Sequence, residues 1–207
     1  MKKNDFKDSG FNLVAAIAKA MGNGHRLEIL ELLANGSKSV QQISVAARIN
    51  LSNASQHLKI LKQHKLVKIN RKGITVYHEL ADRSILSLIK VLHQTAYRQL
   101  PEMRLILSDF RKQFGTDQAV TKSIPDDDYI LLDVRSSAEY GYGHHQGAIS
   151  IPFYNLDKSF AKLDKSKLII AYCRGELCAQ ADEVVQKLIA EGFRAVRLEE
   201  IVMMKSA

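Results

Sequence analysis

Ala171-Tyr172-Cys173-Arg174-Gly175-Glu176-Leu177-Cys178 is the stretch on which the reading of this chain turns. An apolar run, Lys167 to Tyr172, leads into it and reads as a buried strand. Ala181, Val184, Val185 and Leu188 follow at helical spacing. A cysteine therefore stands at the end of a strand, on a short glycine-containing loop that opens a helix. Such a place favours a thiolate: loop N–H groups and the helix N-terminus aim partial positive charge at the sulfur, and Arg174 adds a full one. Cys173 is the candidate nucleophile, set against the plainer reading of a buried structural cysteine. A phosphatase loop would need an arginine at the position of Ala179 to fork onto a phosphate, so the position argues against that chemistry.

Working outward, strand-like runs near Tyr129, Ile149, Leu168 and Ala195 alternate with helical stretches. This predicts a parallel α/β sheet. Asp133 and Arg135 end the first strand, where ligand groups gather in such sheets. Ile124 to Asp128 reads as a solvated surface turn. The cysteine loop resembles that of rhodanese domains. Leu132-Asp133-Val134-Arg135, Glu139-Tyr140, Gly143-His144, Gly147-Ala148-Ile149 and Ile151-Pro152 match the same family in order. The resemblance implies that Cys173 carries sulfane sulfur as a persulfide, taken from a small donor such as thiosulfate or a low-molecular-weight persulfide. It gives Asp133 and Arg135 the task of holding the loop, and Arg174, Gly175 and the loop N–H groups that of stabilising the persulfide. Cys178 is either a resolving thiol or a packed helix-start residue. His145-Gln146 replaces the family's usual Ile-Pro, and His144 belongs to a structural turn. The family's C-terminal aromatic loop and final helix are missing after Leu198-Glu199-Glu200-Ile201-Val202, so the domain is expected to be shortened.

The 207 residues permit two small domains, and charge divides them. The formal net charge is +8, with 30 Lys and Arg against 22 Asp and Glu. Up to Phe114 there are 19 basic and 8 acidic residues, a balance of +11; beyond it there are 11 and 14, a balance of −3. A basic half joined to a mildly acidic one suggests a nucleic-acid-binding module fused to something else. Two cysteines do not make a disulfide scaffold, and both lie in one loop. No run is long and apolar enough for a bilayer, and Met1-Lys2-Lys3-Asn4-Asp5 lacks a signal-peptide core. The expected location is the cytoplasm, with no membrane partner.

In the basic half, Phe11, Val14, Ile17, Ala18 and Met21 form a helical stripe, broken by Gly22-Asn23-Gly24. Leu27, Leu30 and Leu33 line a second helix that stops at Asn35-Gly36. Ser39-Val40-Gln41-Gln42 has the form of a capping box opening a third helix. Asn50 can cap a fourth, Leu51 to about Gln63, with Ala54, Leu58 and Leu61 inward. Its outer face, Ser52, Asn53, Ser55, Gln56 and Lys59, holds donors and acceptors and no carboxylate, which suits the major groove. Strand-like runs Val67 to Asn70 and Ile74 to Leu80 form a hairpin joined by Arg71-Lys72-Gly73, a basic tip placed for backbone phosphates.

Together Arg26-Leu27-Glu28-Ile29-Leu30, Ser55-Gln56-His57-Leu58-Lys59-Ile60-Leu61 and Val76-Tyr77-His78-Glu79-Leu80 resemble the winged helix-turn-helix of the ArsR family. That resemblance implies a dimeric repressor bound to a double-stranded DNA operator. Its partner helix would be Ser84 to Leu100, with apolar Ile85, Leu88, Ile89, Leu92 and Ala96, a face equally consistent with packing within the chain. Metal-sensing members carry cysteines in this half; here there are none, and His25, His57, His64, His78 and His93 are scattered, so no metal or other cofactor is expected. The expected architecture is multidomain: a mainly-α winged helix-turn-helix over residues 1–103, a linker or helix extension over 104–116, and an α/β rhodanese-like domain with a parallel sheet over 117–207. The expected function is transcriptional regulation with a sulfur-sensing domain. The alternative is a rhodanese-type sulfurtransferase whose DNA-binding half only localises or dimerises it.

Overall fold

The computed structural model describes residues 3–126 and 128–199. The chain divides into two compact units, Met1–Val91 and Leu92–Ala207. Asp127, within the expected surface turn, and the residues from Glu200 on, which bear on the expected shortening, lie outside the described residues.

The first unit opens with α1 (Lys3–Met21), α2 (Gly24–Ala34), β1 (Lys38–Ser39), α3 (Val40–Ala46) and α4 (Leu51–Gln63). The hairpin β2 (Val67–Lys72) and β3 (Thr75–Leu80) follows, then α5 (Ser84–Gln99), within which the unit boundary falls. The caps expected at Ser39 and Asn50 are present, and Asn23 supplies another. The Asn23 side chain accepts from Arg26 N and the Asn50 side chain from Asn53 N. Ser39 and Gln42 form the reciprocal box, with Gln42 N donating to Ser39 Oγ at 3.2 Å and Ser39 N to Gln42 Oε1 at 2.8 Å. Ala54, Leu58 and Leu61 are buried as their spacing requires. They share the core with Ile29, Leu30, Leu33, Ile43, Leu66, Val67, Ile85 and Ile89.

Three features differ from the expectation. Helix α1 begins at Lys3 rather than near Phe11, because Asn4–Gly10 contains no proline and places Asp5 in the first turn, where the helix dipole favours it. Of its apolar stripe, Met21 is buried, whereas Phe11, Val14 and Ala18 are exposed in the single chain. β1 pairs antiparallel with β3, giving the order β1-β3-β2. The hairpin tip is Gly73-Ile74, since Lys72 pairs with Thr75, so Arg71 and Lys72 close the strand instead of forming the loop. Gly73 supplies the φ of +60° that the first central residue of a primed two-residue turn requires.

The second unit contains α6 (Pro101–Phe114), β4 (Val120–Thr121), β5 (Tyr129–Asp133), α7 (Ser137–Tyr142), β6 (Ile149–Ser150), two 3-10 turns (Phe153–Lys158 and Phe160–Lys162), β7 (Leu168–Tyr172), α8 (Gln180–Ala190) and β8 (Arg194–Leu198). The residues left open as linker or extension fall largely on α6, with Pro101 at its first turn and Gly115 in the left-handed conformation at its end. The sheet order is β4-β8-β7-β5-β6, and every pairing is parallel. Side chains alternate across it: Ile169, Ala171 and Cys173 join one core cluster, Ile170 and Tyr172 the other. A strand buried on both faces explains why Leu168–Tyr172 reads as an unbroken apolar run. Asp133 lies opposite Tyr172, so the C-terminal ends of β5 and β7 open side by side.

Candidate functional site

Cys173 is the first residue beyond β7 and is buried; Cys178 is partly buried. Their Cα atoms are 6.3 Å apart and their sulfurs are joined in a disulfide. Cys178 N donates to Gly175 O at 3.1 Å, closing the loop as a turn. The pair thus stands oxidised, where the sequence reading gave Cys173 alone the first role. The Gln180 side-chain oxygen lies 3.5 Å from Cys173 Sγ and 4.0 Å from Cys178 Sγ, at the start of α8. Ala179 caps that helix without a side-chain hydrogen bond.

Arg174 turns onto Glu139, donating from Nε and Nη2 to the two carboxylate oxygens at 2.7 and 3.0 Å. Glu139 is held there by a second capping box, accepting from Ser136 N at 3.2 Å and Ser136 Oγ at 2.9 Å at the opening of α7. The cation assigned to the sulfur is therefore paired with a buried carboxylate. Asp133 and Arg135 form a buried fork: Arg135 Nε donates to Asp133 Oδ1 at 2.9 Å, and Arg135 Nη2 reaches Gly143 O at 2.7 Å. That ties the end of β5 to the turn after α7. Burial, and then the Asp133 carboxylate, push the Tyr172 phenol well above its usual range. His144 stacks on Tyr140 at 3.8 Å, and His145 meets Tyr172 edge-on at 4.8 Å. Both histidines serve the packing of that turn.

Gly175 is gripped through its backbone. Arg197, on β8, donates from Nη2 to Gly175 O at 2.7 Å and to Glu176 O at 2.8 Å, while its Nη1 meets Asp182. Burial, with Glu199 nearby, raises the Glu176 carboxyl, against the pull of Arg111, Arg197 and Lys122. Glu139, Gln180, Asp182, Arg197 and Arg111 were not singled out as site residues. Two left a trace in the sequence. Ser136-Ser137-Ala138-Glu139 has capping-box form, and Arg197 shares the inward parity of Ala195 on a buried strand.

In the first unit, Ser52, Asn53, Ser55, Gln56 and Lys59 are all exposed along one side of α4, and Arg71 and Lys72 are exposed on the wing. Lys72 also leans over the Tyr77 ring at 5.7 Å. The five histidines are less scattered than expected, since His25 and His57, on different helices, approach to 5.7 Å. Among the described residues, no three histidine, cysteine or carboxylate side chains converge as metal ligands, and no helix is long and apolar enough to cross a membrane.

A winged helix-turn-helix followed by a parallel sheet with a strand-end cysteine loop defines a two-domain, DNA-binding transcription regulator. Residues 23–68 match the model of the bacterial regulatory proteins of the arsR family, and residues 116–200 that of the rhodanese-like domain. Over 203 residues the chain is 32% identical to the HTH-type transcriptional regulator Rv0324 of Mycobacterium tuberculosis, covering 96% of this chain and 89% of that one. The chain therefore belongs to the ArsR-type helix-turn-helix regulators that carry a C-terminal rhodanese-like domain. The thiosulfate sulfurtransferase GlpE of Coxiella burnetii is 30% identical over 69 residues, 33% of this chain and 63% of that enzyme. Among solved structures, the homodimeric winged helix-turn-helix DNA-binding domain of Mb0332 from Mycobacterium bovis is 34% identical, covers 49% of this chain and 94% of that one, and gives a TM-score of 0.45.

Proposed function

We propose that this regulator is a repressor that senses sulfane sulfur at Cys173 and changes its grip on an operator when the loop is loaded. The observation that carries the proposal is the closure of Cys173 and Cys178 across one loop, which supports a two-step thiol cycle. The Cys173 thiolate attacks the outer sulfur of the donor; with thiosulfate, a persulfide forms and sulfite leaves. The Cys178 thiolate then attacks Cys173 Sγ, the persulfide S–S bond breaks, hydrosulfide departs and the protein disulfide remains. Two electrons from a cellular thiol reductant restore the starting state.

The DNA-binding and dimerisation functions are assigned to residues 1–103, with α4 as reader and Arg71 and Lys72 on the wing. The sulfur function is assigned to residues 117–207. Phe6, Phe11 and Val14 on α1 and Leu88, Val91 and Leu92 on α5 are exposed in the single chain, which supports a homodimer covering them. The sulfurtransferase reading is favoured by the likeness to GlpE and stands as the second one.

The test is DNA binding by the purified, reduced protein before and after treatment with glutathione persulfide, with Cys173→Ser and Cys178→Ser alongside. An operator fragment obtained by in-vitro selection serves as the probe. Release from the wild type and not from Cys173→Ser is the expected result. Persulfidation of Cys173 with unchanged DNA binding would overturn the sensor in favour of the enzyme.

A further inference from the structure

The second unit buries a polar cluster that lies apart from the cysteines but reaches their loop. Arg197 and Asp182 are 1% and 0% exposed, Arg111 7% and Thr116 0%. A buried guanidinium is costly unless its N–H groups find acceptors. Arg197 finds three: the carbonyls of Gly175 and Glu176, and Asp182 Oδ2. The other oxygen of Asp182 accepts from Thr116 Oγ1 at 3.3 Å and lies 3.7 Å from Arg111 Nε. Arg111, on α6, also pairs with Glu199 just beyond β8. One carboxylate is thus shared between the residue that grips the loop and the residue that anchors α6. Only Leu100 separates α6 from α5 in the chain.

We propose that Arg197 is the positioning residue of the cysteine loop, and that Asp182 and Arg111 pass the state of that loop to α6. The first part follows from peptide geometry. A trans peptide holds its N–H opposite its C=O. With the Gly175 and Glu176 carbonyls fixed on Arg197, the N–H groups of Glu176 and Leu177 turn to the opposite side, free of the clamp. Those N–H groups set how well the loop supports a sulfur anion. The second part follows from the closed ring Cys173–Cys178. Opening it to a thiolate or a persulfide releases the constraint between the two ends of the loop, so the peptides held by Arg197 reorient. Any shift of Arg197 changes its hold on Asp182, and with it the partner of Arg111. A two-state loop that biases a shared ion cluster is a physical path for coupling.

This inference rests on the sulfur-sensing reading, and the test separates the two. In full-length Cys178→Ser protein, the pH profile of Cys173 alkylation by iodoacetamide reports thiolate stabilisation. Arg197→Met is expected to move its midpoint up by about one unit, the size of one lost charge-assisted hydrogen bond. Arg197→Lys, which offers one ammonium where a fork spanned two carbonyls, is expected to fall between. In protein with both cysteines, Arg111→Met is expected to lose most of the change in operator affinity caused by glutathione persulfide. Circular dichroism confirms that each variant is folded, and Arg197→Lys decides the first arm if Arg197→Met is not. A wild-type profile in folded Arg197 variants, or a full donor response in Arg111→Met, overturns the proposal. Failure of wild-type Cys173 to gain sulfur by mass spectrometry would instead sink the sensing reading, and the alkylation arm would still decide the role of Arg197.

Discussion

Replacing Glu139 by Gln separates what the carboxylate does for the fold from what it does to Arg174. Glutamine keeps a side-chain oxygen for the Ser136 box, since Gln is accepted at that position of a capping box. It loses the charge that fixes the Arg174 fork at 2.7 and 3.0 Å. Arg174 is 23% exposed on its side chain and Glu139 3%, so the freed guanidinium can rehydrate where a fully buried one could not. The loss is therefore that of a charge-assisted hydrogen-bonded pair, about 1–3 kcal/mol, rather than the ~3–5 kcal/mol of a stranded buried charge. Glu139→Ala also removes the cap and costs about 1 kcal/mol more. The released charge has a second effect. A guanidinium brought within roughly 6 Å of a thiolate stabilises it by about 1–3 kcal/mol at an effective dielectric constant of ~20–40. Alkylation of Cys173 in the reduced Cys178→Ser background should then become faster near neutral pH, with its midpoint moved down. Urea denaturation supplies the stability and the iodoacetamide profile supplies the midpoint. A stability loss under ~0.5 kcal/mol would show that the fork contributes little. Slower alkylation would show that Arg174 acts on the sulfur while still bound to Glu139, and the argument from charge pairing would be wrong.

Two further outcomes follow from the same geometry. Burial raises the Glu176 carboxyl in the folded protein, so the folded state holds its proton more tightly than the unfolded chain does. Its contribution is favourable below the ordinary carboxylate range and is lost as pH rises through the raised folded value; Glu176→Gln should therefore stabilise the protein at pH 8, with the advantage shrinking toward pH 4 in denaturation curves, and a constant difference would refute the assignment. On the DNA side, Gln56→Ala or Asn53→Ala should weaken a selected operator by about 1–3 kcal/mol more than bulk DNA, whereas Arg71→Ala or Lys72→Ala should weaken both alike and reduce the salt slope by about 1; equal effects from both pairs in titrations across salt would remove the distinction between reader helix and wing.

The parts of this fold that were legible from sequence are those where local pattern and tertiary packing ask for the same thing. Ala54, Leu58 and Leu61 are spaced for one helix face and are all buried. Asn50 and Ser39 announce helices by the N–H groups they satisfy. Leu168–Tyr172 is apolar on both faces because both faces are covered. β1 and β4, two residues each, are too short for any period to show, and exist only because β3 and β8 offer them an edge. Of the site, the cysteine loop and the place of Asp133 and Arg135 at the end of β5 were visible; their fork onto each other, and its reach to Gly143 O rather than to the cysteine loop, was not. The partners of Arg174 and of the loop carbonyls were not, because Glu139 lies 35 residues and Arg197 22 residues away in sequence. Pairing across such distances is set by strand order, which propensity and spacing do not encode.

The charge arrangement at the ends of these strands has a consequence for how the loop can be switched. Arg135 is matched by Asp133, Arg174 by Glu139 and Arg197 by Asp182, each pair with a carboxylate buried almost completely. With each guanidinium already partnered, the proposed support of a sulfur anion falls to oriented dipoles: the loop N–H groups and the start of α8. Dipoles act strongly at short range and only when correctly aimed, whereas a free charge would act from many positions. A site of this kind is sensitive to small rotations of a few peptides and comparatively insensitive to ionic strength. On the proposed cycle, closing or opening the Cys173–Cys178 ring is expected to rotate those very peptides. On that cycle the chemical state of the sulfur is tied to the conformation of the loop, and Arg197, which holds the loop carbonyls, is the group expected to respond to both.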